Sequence, residues 1–236
     1  MLEAILFDLD GTLLPMDMEG FIKAYFGAIA QKMAPLGIDT KKLLDTIWKG
    51  TDAMVANDGS CLNEARFWQV YEEQMGTEAL QYQSVFDEFY QTDFDKARAA
   101  TSQNPQIREL IDWLQAEEIP MVVATNPVFP KAAQHKRISW AGLRPEEFCY
   151  ITSYENSHYC KPNPAYYQEI LTQLGLKAEH TLMVGNDVTE DMAAAELGMR
   201  VFLLTDCLWN PHKKVIDSYP HGGVAELKHY ITEQLR

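Results

Sequence analysis

Ile5-Leu6-Phe7 runs straight into Asp8-Leu9-Asp10 and then Gly11-Thr12. A short apolar run of this kind predicts a strand. Alternate side chains of an extended chain share a face, so Asp8 and Asp10 can point into one site at the strand's end. Gly11 lets the backbone leave the strand sharply. Two carboxylates at a strand exit suit three tasks: holding a hard cation, attacking an electrophile and shuttling a proton.

The texture of the chain then changes twice. From about Asp17 to Arg98 apolar residues recur at helical spacing: Phe21, Ile22, Tyr25, Phe26 and Ile29, then Leu43, Leu44, Ile47 and Trp48, then Phe67, Val70 and Tyr71, then Val85, Phe86, Phe89 and Tyr90. After Pro105 strands and helices alternate. Helices are expected at Ile107–Leu114, Phe129–Trp140, Pro164–Leu174, Glu190–Leu197 and Val224–Leu235. Strands are expected at Pro120–Thr125, Tyr150–Ser153, Thr181–Val184 and Arg200–Thr205. Such alternation implies an α/β fold with a mostly parallel sheet covered on both faces, and ligands in such folds bind beyond the carboxyl ends of the strands. The Asp8–Asp10 pair lies at such an end, and the all-helical segment is an insertion placed over it.

Composition narrows the function classes. The chain has 236 residues, enough for one core with a sizeable insertion, and a formal net charge of -14. That charge argues against a general nucleic-acid or anionic-membrane surface, so phosphate binding needs local positive charge, backbone N–H groups or a metal. No apolar stretch approaches the roughly 20 residues that span a bilayer, and the N-terminus reads as a strand rather than a signal segment. Cys61, Cys149, Cys160 and Cys207 are scattered, with no C-x-x-C pair, which favours a reduced cytoplasmic protein with free thiols. Cys160 stands beside Lys161, a neighbour that can favour its thiolate, but no base-and-orienter arrangement accompanies it and an ordinary thiol is expected. The six histidines show no zinc spacing.

Three further stretches complement the aspartates. Thr125-Asn126-Pro127 ends the second expected strand, where a hydroxyl and adjacent N–H groups can hold phosphoryl oxygens. In Lys161-Pro162-Asn163-Pro164 the proline restrains the lysine's backbone, Asn163 suits a helix cap and Pro164 the first helical turn. Gly185-Asn186-Asp187-Val188-Thr189-Glu190-Asp191 carries an apolar strand into an acidic loop and a helix whose Ala193-Ala194-Ala195 allows close packing. Asp187 can reach a cation; Asp191 can cap, support or also ligate. There is no EF-hand, P-loop, G-x-G-x-x-G or G-x-S-x-G motif.

In this order, D-x-D-G-T, Thr125, Lys161-Pro162 and G-N-D-x-x-x-D, the chain resembles the haloacid dehalogenase superfamily over nearly its whole length. The resemblance implies a Rossmann-like core, 1–15 and 99–236, with a helical cap, 16–98. It implies that Asp8 is the nucleophile forming an aspartyl-phosphate and Asp10 the general acid/base, whose carbonyl also contacts the metal. Thr125 matches the phosphate-binding hydroxyl, with Asn126 following it as a substrate contact. Lys161 matches the lysine that neutralises nucleophile and phosphate. Asp187 and Asp191 match the acidic members completing a Mg²⁺ site with Asp8 and Asp10. Many relatives place the first of these acids where this chain has Asn186, so the ligand is expected one residue later, at Asp187. The implied activity is a magnesium-dependent phosphatase acting on a small phosphorylated metabolite. The alternatives are a phosphomutase of the β-phosphoglucomutase type and a non-catalytic binding protein on the same scaffold. Trp48-Lys49-Gly50-Thr51 is similar to the mutases' cap specificity loop, with Gly50 expected to break the helix and Trp48, Lys49 and Gly50 to meet substrate. The mutases' arginine three residues beyond the glycine is Ala53 here.

Overall fold

The computed structural model describes residues 2–235. Six strands form one parallel sheet: β1 (Ala4–Phe7), β2 (Met121–Val123), β3 (Tyr150–Ile151), β4 (Thr181–Gly185), β5 (Arg200–Leu204) and β6 (His221–Gly222). Their spatial order is β3-β2-β1-β4-β5-β6, with β1 between β2 and β4. Ile5 stands opposite both Met121 and Leu182, so the central strands end level with one another.

Both faces of the sheet are buried, which is why these strands are continuously apolar. Ile5, Phe7, Val123, Leu182, Val184 and Phe202 pack on one side with α5 (Pro105–Ala116) and α8 (Val224–Leu235). Leu6, Val122, Met183 and Val201 face the other side, against Tyr166, Tyr167 and Ile170 of α7 (Pro164–Leu174). Helix α6 (Lys131–Trp140) lies between β2 and β3 in sequence. A 3₁₀ turn, Met192–Leu197, stands where a helix from Glu190 was expected, because the residues before it turn into the site described below. Strand β6 was not foreseen: His221-Gly222 has no apolar pattern and pairs only at Leu203 and Leu204.

Between β1 and β2 lie α1 (Met18–Met33), α2 (Thr40–Val55), α3 (Asn63–Met75) and α4 (Gln83–Gln91), then a 3₁₀ segment, Asp93–Ala100. The chain leaves and re-enters the sheet layer side by side: Asp17 N–H donates to the Ala100 carbonyl at 2.9 Å and Ser102 N–H to the Pro15 carbonyl at 3.0 Å. The expected break at Gly50 does not occur. Helix α2 continues to Val55, with the Thr51 hydroxyl donating to the Ile47 carbonyl at 3.0 Å and Met54 extending the buried stripe of Leu43 and Ile47. Gly50 lies where α2 crosses α3; a Cβ there would come 2.6 Å from the Phe67 ring, so the glycine serves close helix packing rather than a turn.

Candidate active site

Pairing runs one residue past the central strands. Asp8 N–H donates to the Val184 carbonyl at 2.9 Å, and Ala124 N–H to the Phe7 carbonyl at 2.7 Å. Asp8, Thr125 and Asn186 therefore leave the sheet next to one another. Gly11, at φ +88°, turns the chain back, and a Cβ on it would lie 2.3 Å from the Asn186 amide nitrogen. Only glycine supplies both that conformation and that closeness.

Lys161 reaches this end of the sheet from the lead-in to α7, where Asn163 caps the helix by accepting from Ala165 N–H at 3.0 Å. The Lys161 backbone N–H donates to Asn126 Oδ1 at 3.2 Å. Its fully buried Nζ donates to Asp8 Oδ1 at 2.8 Å and to Asp191 Oδ1 at 2.6 Å. Burial opposes the lysine's charge, but the Asp191 and Asp8 carboxylates outweigh it and hold the ammonium well above its ordinary pKa. Asp191 Oδ2 accepts the Asp187 N–H at 2.9 Å. Both Asp191 oxygens thus accept hydrogen bonds within the protein, and the residue, 1% exposed, lies against the lysine at the edge of the polar cavity described below. Gly185 makes room for it: a Cβ would overlap the Asp191 carboxyl at 2.0 Å.

Asp187 turns one oxygen back on its own loop, Oδ1 accepting from Thr189 and Glu190 N–H at 2.7 and 2.9 Å. Asn186 accepts from the Thr12 hydroxyl at 3.0 Å and donates to the Cys207 carbonyl at 2.8 Å. Glu190 accepts from the Asn126 amide at 3.2 Å. Burial pushes Glu190 up to about 8, aided by Asp191, Asp187 and Asp8 and resisted by Lys161. Thr125 is held by its carbonyl, which accepts the Thr152 and Tyr166 hydroxyls at 2.7 and 2.9 Å.

The Asp10 carboxylate meets a group the sequence did not flag. Arg137, buried on α6, pairs with Asp10 Oδ2, bonds Gln134 and lies 4.5 Å over the Phe129 ring. Burial raises the Asp10 pKa; Arg137 pulls against it and Asp8 adds to it. The sequence signal for Arg137 was positional: it falls between Ala133 and Ala141 on the stripe that includes Ile138, where a charge needs a buried partner. Glu190 had no signal, since acids at a helix start are ordinary.

Two cavities meet here. A polar one of about 290 Å³ is lined by Asp8, Asn186, Asp187, Glu190 and Trp209 among others. An aromatic one of about 220 Å³ lies under the helices of the insertion. Asp10, Met18, Thr125 and Asn126 line both. Trp48 and Thr51 line the aromatic cavity; Lys49 and Gly50 line neither. Lys49 is exposed and donates to Gln74 at 2.6 Å, while Gly50 is buried against α3, so the structure places neither of these expected substrate contacts at the two cavities.

Among the described residues, no three His, Cys, Asp or Glu side chains are grouped to hold a metal by themselves. The donors at the polar cavity are carboxylate and amide oxygens. Such a set fits Mg²⁺, which keeps several waters and takes one or two carboxylates plus substrate oxygens, and does not fit Zn²⁺.

The model for haloacid dehalogenase-like hydrolases matches residues 2–198. Phosphoglycolate phosphatase of Pectobacterium atrosepticum is 26% identical over 199 residues, 84% of this chain and 78% of that protein. The crystal structure of a HAD phosphatase from Thermococcus onnurineus aligns with TM-score 0.62 at 19% identity, covering 98% of each chain. A 2-haloacid dehalogenase from Pseudomonas syringae pv. Tomato aligns with TM-score 0.64 at 18% identity, covering 99% of this chain and 100% of the other. With its parallel sheet, helical insertion and strand-end carboxylates, the chain belongs to the haloacid dehalogenase-like hydrolase family.

Proposed function

We propose that this enzyme is a magnesium-dependent phosphatase of a small phosphorylated metabolite, working through an aspartyl-phosphate on Asp8. The observation that carries the reading is the buried Lys161 ammonium held between Asp8 and Asp191 at the sheet's carboxyl end. It offsets repulsion between a carboxylate nucleophile and an incoming phosphate dianion. Asp8 Oδ1 is tied to that lysine, which leaves Oδ2 as the attacking atom. As the Asp8 O–P bond forms and the ester P–O bond breaks, Asp10 passes its proton to the departing alkoxide. Burial, which favours the protonated acid, suits Asp10 to that step. In the second half Asp10 takes a proton from water, the water oxygen attacks phosphorus, and Asp8 is released as carboxylate. The Thr125 hydroxyl and neighbouring N–H groups bind the phosphoryl oxygens.

Asp8, the Asp10 carbonyl and the Asn186–Asp187 pair would hold Mg²⁺, with Asp191 orienting Lys161. Bound there, the ion supplies positive charge to the phosphate oxygens. A mutase would need a cation for a second phosphate. Among the described residues, Arg137 is the one basic side chain lining either cavity, and it is paired with Asp10. We take residues 16–98 as the cap and 1–15 with 99–236 as the core, a division supported by the paired crossings at 15–17 and 100–102. Among the described residues no helix is long and apolar enough to cross a membrane. The free thiols support a cytoplasmic setting.

The test is phosphate release by wild type and Asp8→Asn with Mg²⁺ present. The amide is nearly isosteric but a poor nucleophile, so turnover is expected to vanish with the thermal unfolding curve little changed. Similar rates for the two proteins would sink the mechanism.

A further inference from the structure

The two cavities divide the substrate between them. The polar one, with Asp8 and the Asn186–Asp187 loop, takes the phosphoryl group. The aromatic one begins at Asp10, the proposed donor to the leaving oxygen, and must therefore hold whatever that oxygen carries. Its chemistry is specific. Phe26 and Trp48 pack as one wall, ring centroids 5.1 Å apart, with Ile22 and Ile47 adding aliphatic surface. The polar side chains deepest within it are already engaged, while the unpartnered Asp10 Oδ1 and the Thr125 hydroxyl stand at the end shared with the polar cavity. The Tyr25 and Tyr90 hydroxyls bond each other at 2.9 Å, and burial keeps both neutral, pushing Tyr25 up to about 12 and Tyr90 well above its ordinary value. Arg137 donates to Asp10 and Gln134, and its partnerless Nε is shut away from solvent.

A carboxylate or second phosphate placed here would lose its water and find as its one cation Arg137, whose two terminal nitrogens are already taken by Asp10 and Gln134. A polyol would strand several hydroxyls. An apolar group loses nothing. At about 220 Å³ the space exceeds the roughly 150 Å³ of an engineered apolar cavity that admits benzene.

We propose that the substrates are phosphate monoesters of a small uncharged apolar alcohol, of about one aromatic ring in size, rather than of a hydroxy acid, a sugar or a bisphosphate. The proposal rests on the phosphatase reading above and fixes its leaving group. Charge and apolar area oppose each other in the comparison with phosphoglycolate, and the lining decides for area.

The experiment compares 2-phenylethyl phosphate, ethyl phosphate and phosphoglycolate as substrates with Mg²⁺ present. All three are primary alkyl esters, so intrinsic reactivity contributes little. The expected order places 2-phenylethyl phosphate first, at least about 30-fold above ethyl phosphate in kcat/KM, a ratio that a well-filled apolar pocket supplies. Phosphoglycolate falls at or below ethyl phosphate. Trp48→Ala, at a residue 46% exposed and therefore tolerant of truncation, is expected to reduce the ratio at least threefold by opening one wall. Equal or better turnover of phosphoglycolate or ethyl phosphate overturns the proposal and leaves the phosphatase reading standing, as does a ratio that Trp48→Ala does not move. Calorimetric titration with 2-phenylethylphosphonate and ethylphosphonate, which lack the ester bridge, separates the two readings further. If no ester is turned over but the phenylethyl compound binds at least tenfold more tightly, the ligand class survives and the phosphatase chemistry falls. No turnover and no such preference overturns both.

Discussion

Arg137 and Asp10 form an ion pair where the aromatic and polar cavities meet, the arginine fully enclosed and the aspartate's side chain 17% exposed. Removing one partner of such a pair leaves the other charged in a poorly solvated place, which costs more than the pair itself contributes. Arg137→Met is therefore expected to destabilise the protein by about 3 kcal/mol in urea unfolding. Adding Asp10→Asn, which removes the stranded charge, is expected to restore more than half of that. A double variant no more stable than Arg137→Met would show that the arginine acts through packing on Phe129 instead. Cys160 is a second residue whose environment decides its chemistry. The adjacent lysine can favour a thiolate on sequence grounds, yet Lys161 is committed to Asp8 and Asp191, and burial pushes the Cys160 thiol up to about 12, with Glu190 adding and the Asn63 amide opposing. At pH 8 it is protonated and enclosed. In native protein a water-soluble disulfide reagent is expected to modify the exposed Cys149 and leave Cys160 untouched until denaturant is added, which peptide mapping reads directly.

Helix α2 shows how one residue type supports two opposite inferences. A glycine following a helical stripe reads as a stop, and the same glycine inside a helix permits two axes to approach. Gly50 is the second kind. Alanine there gains up to about 1 kcal/mol of helix propensity but drives a methyl group into the Phe67 ring, an overpacking cost of about 1 to 3 kcal/mol. Gly50→Ala is expected to lower stability by about 1 kcal/mol on balance, and Phe67→Leu in the same chain to relieve part of it. A Gly50→Ala protein with raised Tm would mean that α2 and α3 shift apart freely. The periodic elements were legible from sequence because each has one dominant environment: α7 and α8 run over the expected residues, and the apolar runs of β1, β2, β4 and β5 are strands. The ends of the sheet were not, since β6 pairs through backbone alone. At the site, the aspartates, Thr125 and Lys161 were visible because strand exits converge in a parallel sheet. The division between Asp187 and Asp191 was hidden, because two acids four residues apart look alike until one is seen bonded to the lysine and the other to its own loop. The aromatic stripes were legible as helix core; that some of them also wall a cavity needed the packing of α1 and α2 over β1.

At the scale of the whole molecule, the helical insertion is fastened to the sheet at more than the paired crossing. The start of α3 sits on the loops beyond β2 and β3. Asn63 N–H donates to the Ser157 carbonyl at 2.9 Å and Glu64 N–H to the Tyr154 carbonyl at 2.8 Å. The buried Asn63 amide donates to the Pro127 and Tyr159 carbonyls and accepts from Asn57 at 2.8 Å. Between these fastenings Phe21, Tyr25 and Phe94 of the insertion meet Phe129, with centroid separations of 6.2, 5.4 and 6.1 Å, inside one continuous apolar cluster that reaches the sheet. An insertion packed this way has no separate core to fall back on, so insertion and sheet are expected to unfold together. Tryptophan fluorescence, with Trp48 and Trp68 in the insertion and Trp113, Trp140 and Trp209 outside it, should trace the same urea transition as far-UV circular dichroism. Asn63→Leu tests the coupling. It keeps the branched shape of the side chain but leaves the Pro127 and Tyr159 carbonyls and one Asn57 amide hydrogen without their Asn63 partner, at a cost of about 2 kcal/mol. If the fastening holds the molecule together, that loss moves the single transition to lower urea with its slope unchanged. If the insertion is only loosely attached, Asn63→Leu instead splits the curve, with the insertion melting first and the fluorescence and circular dichroism traces separating.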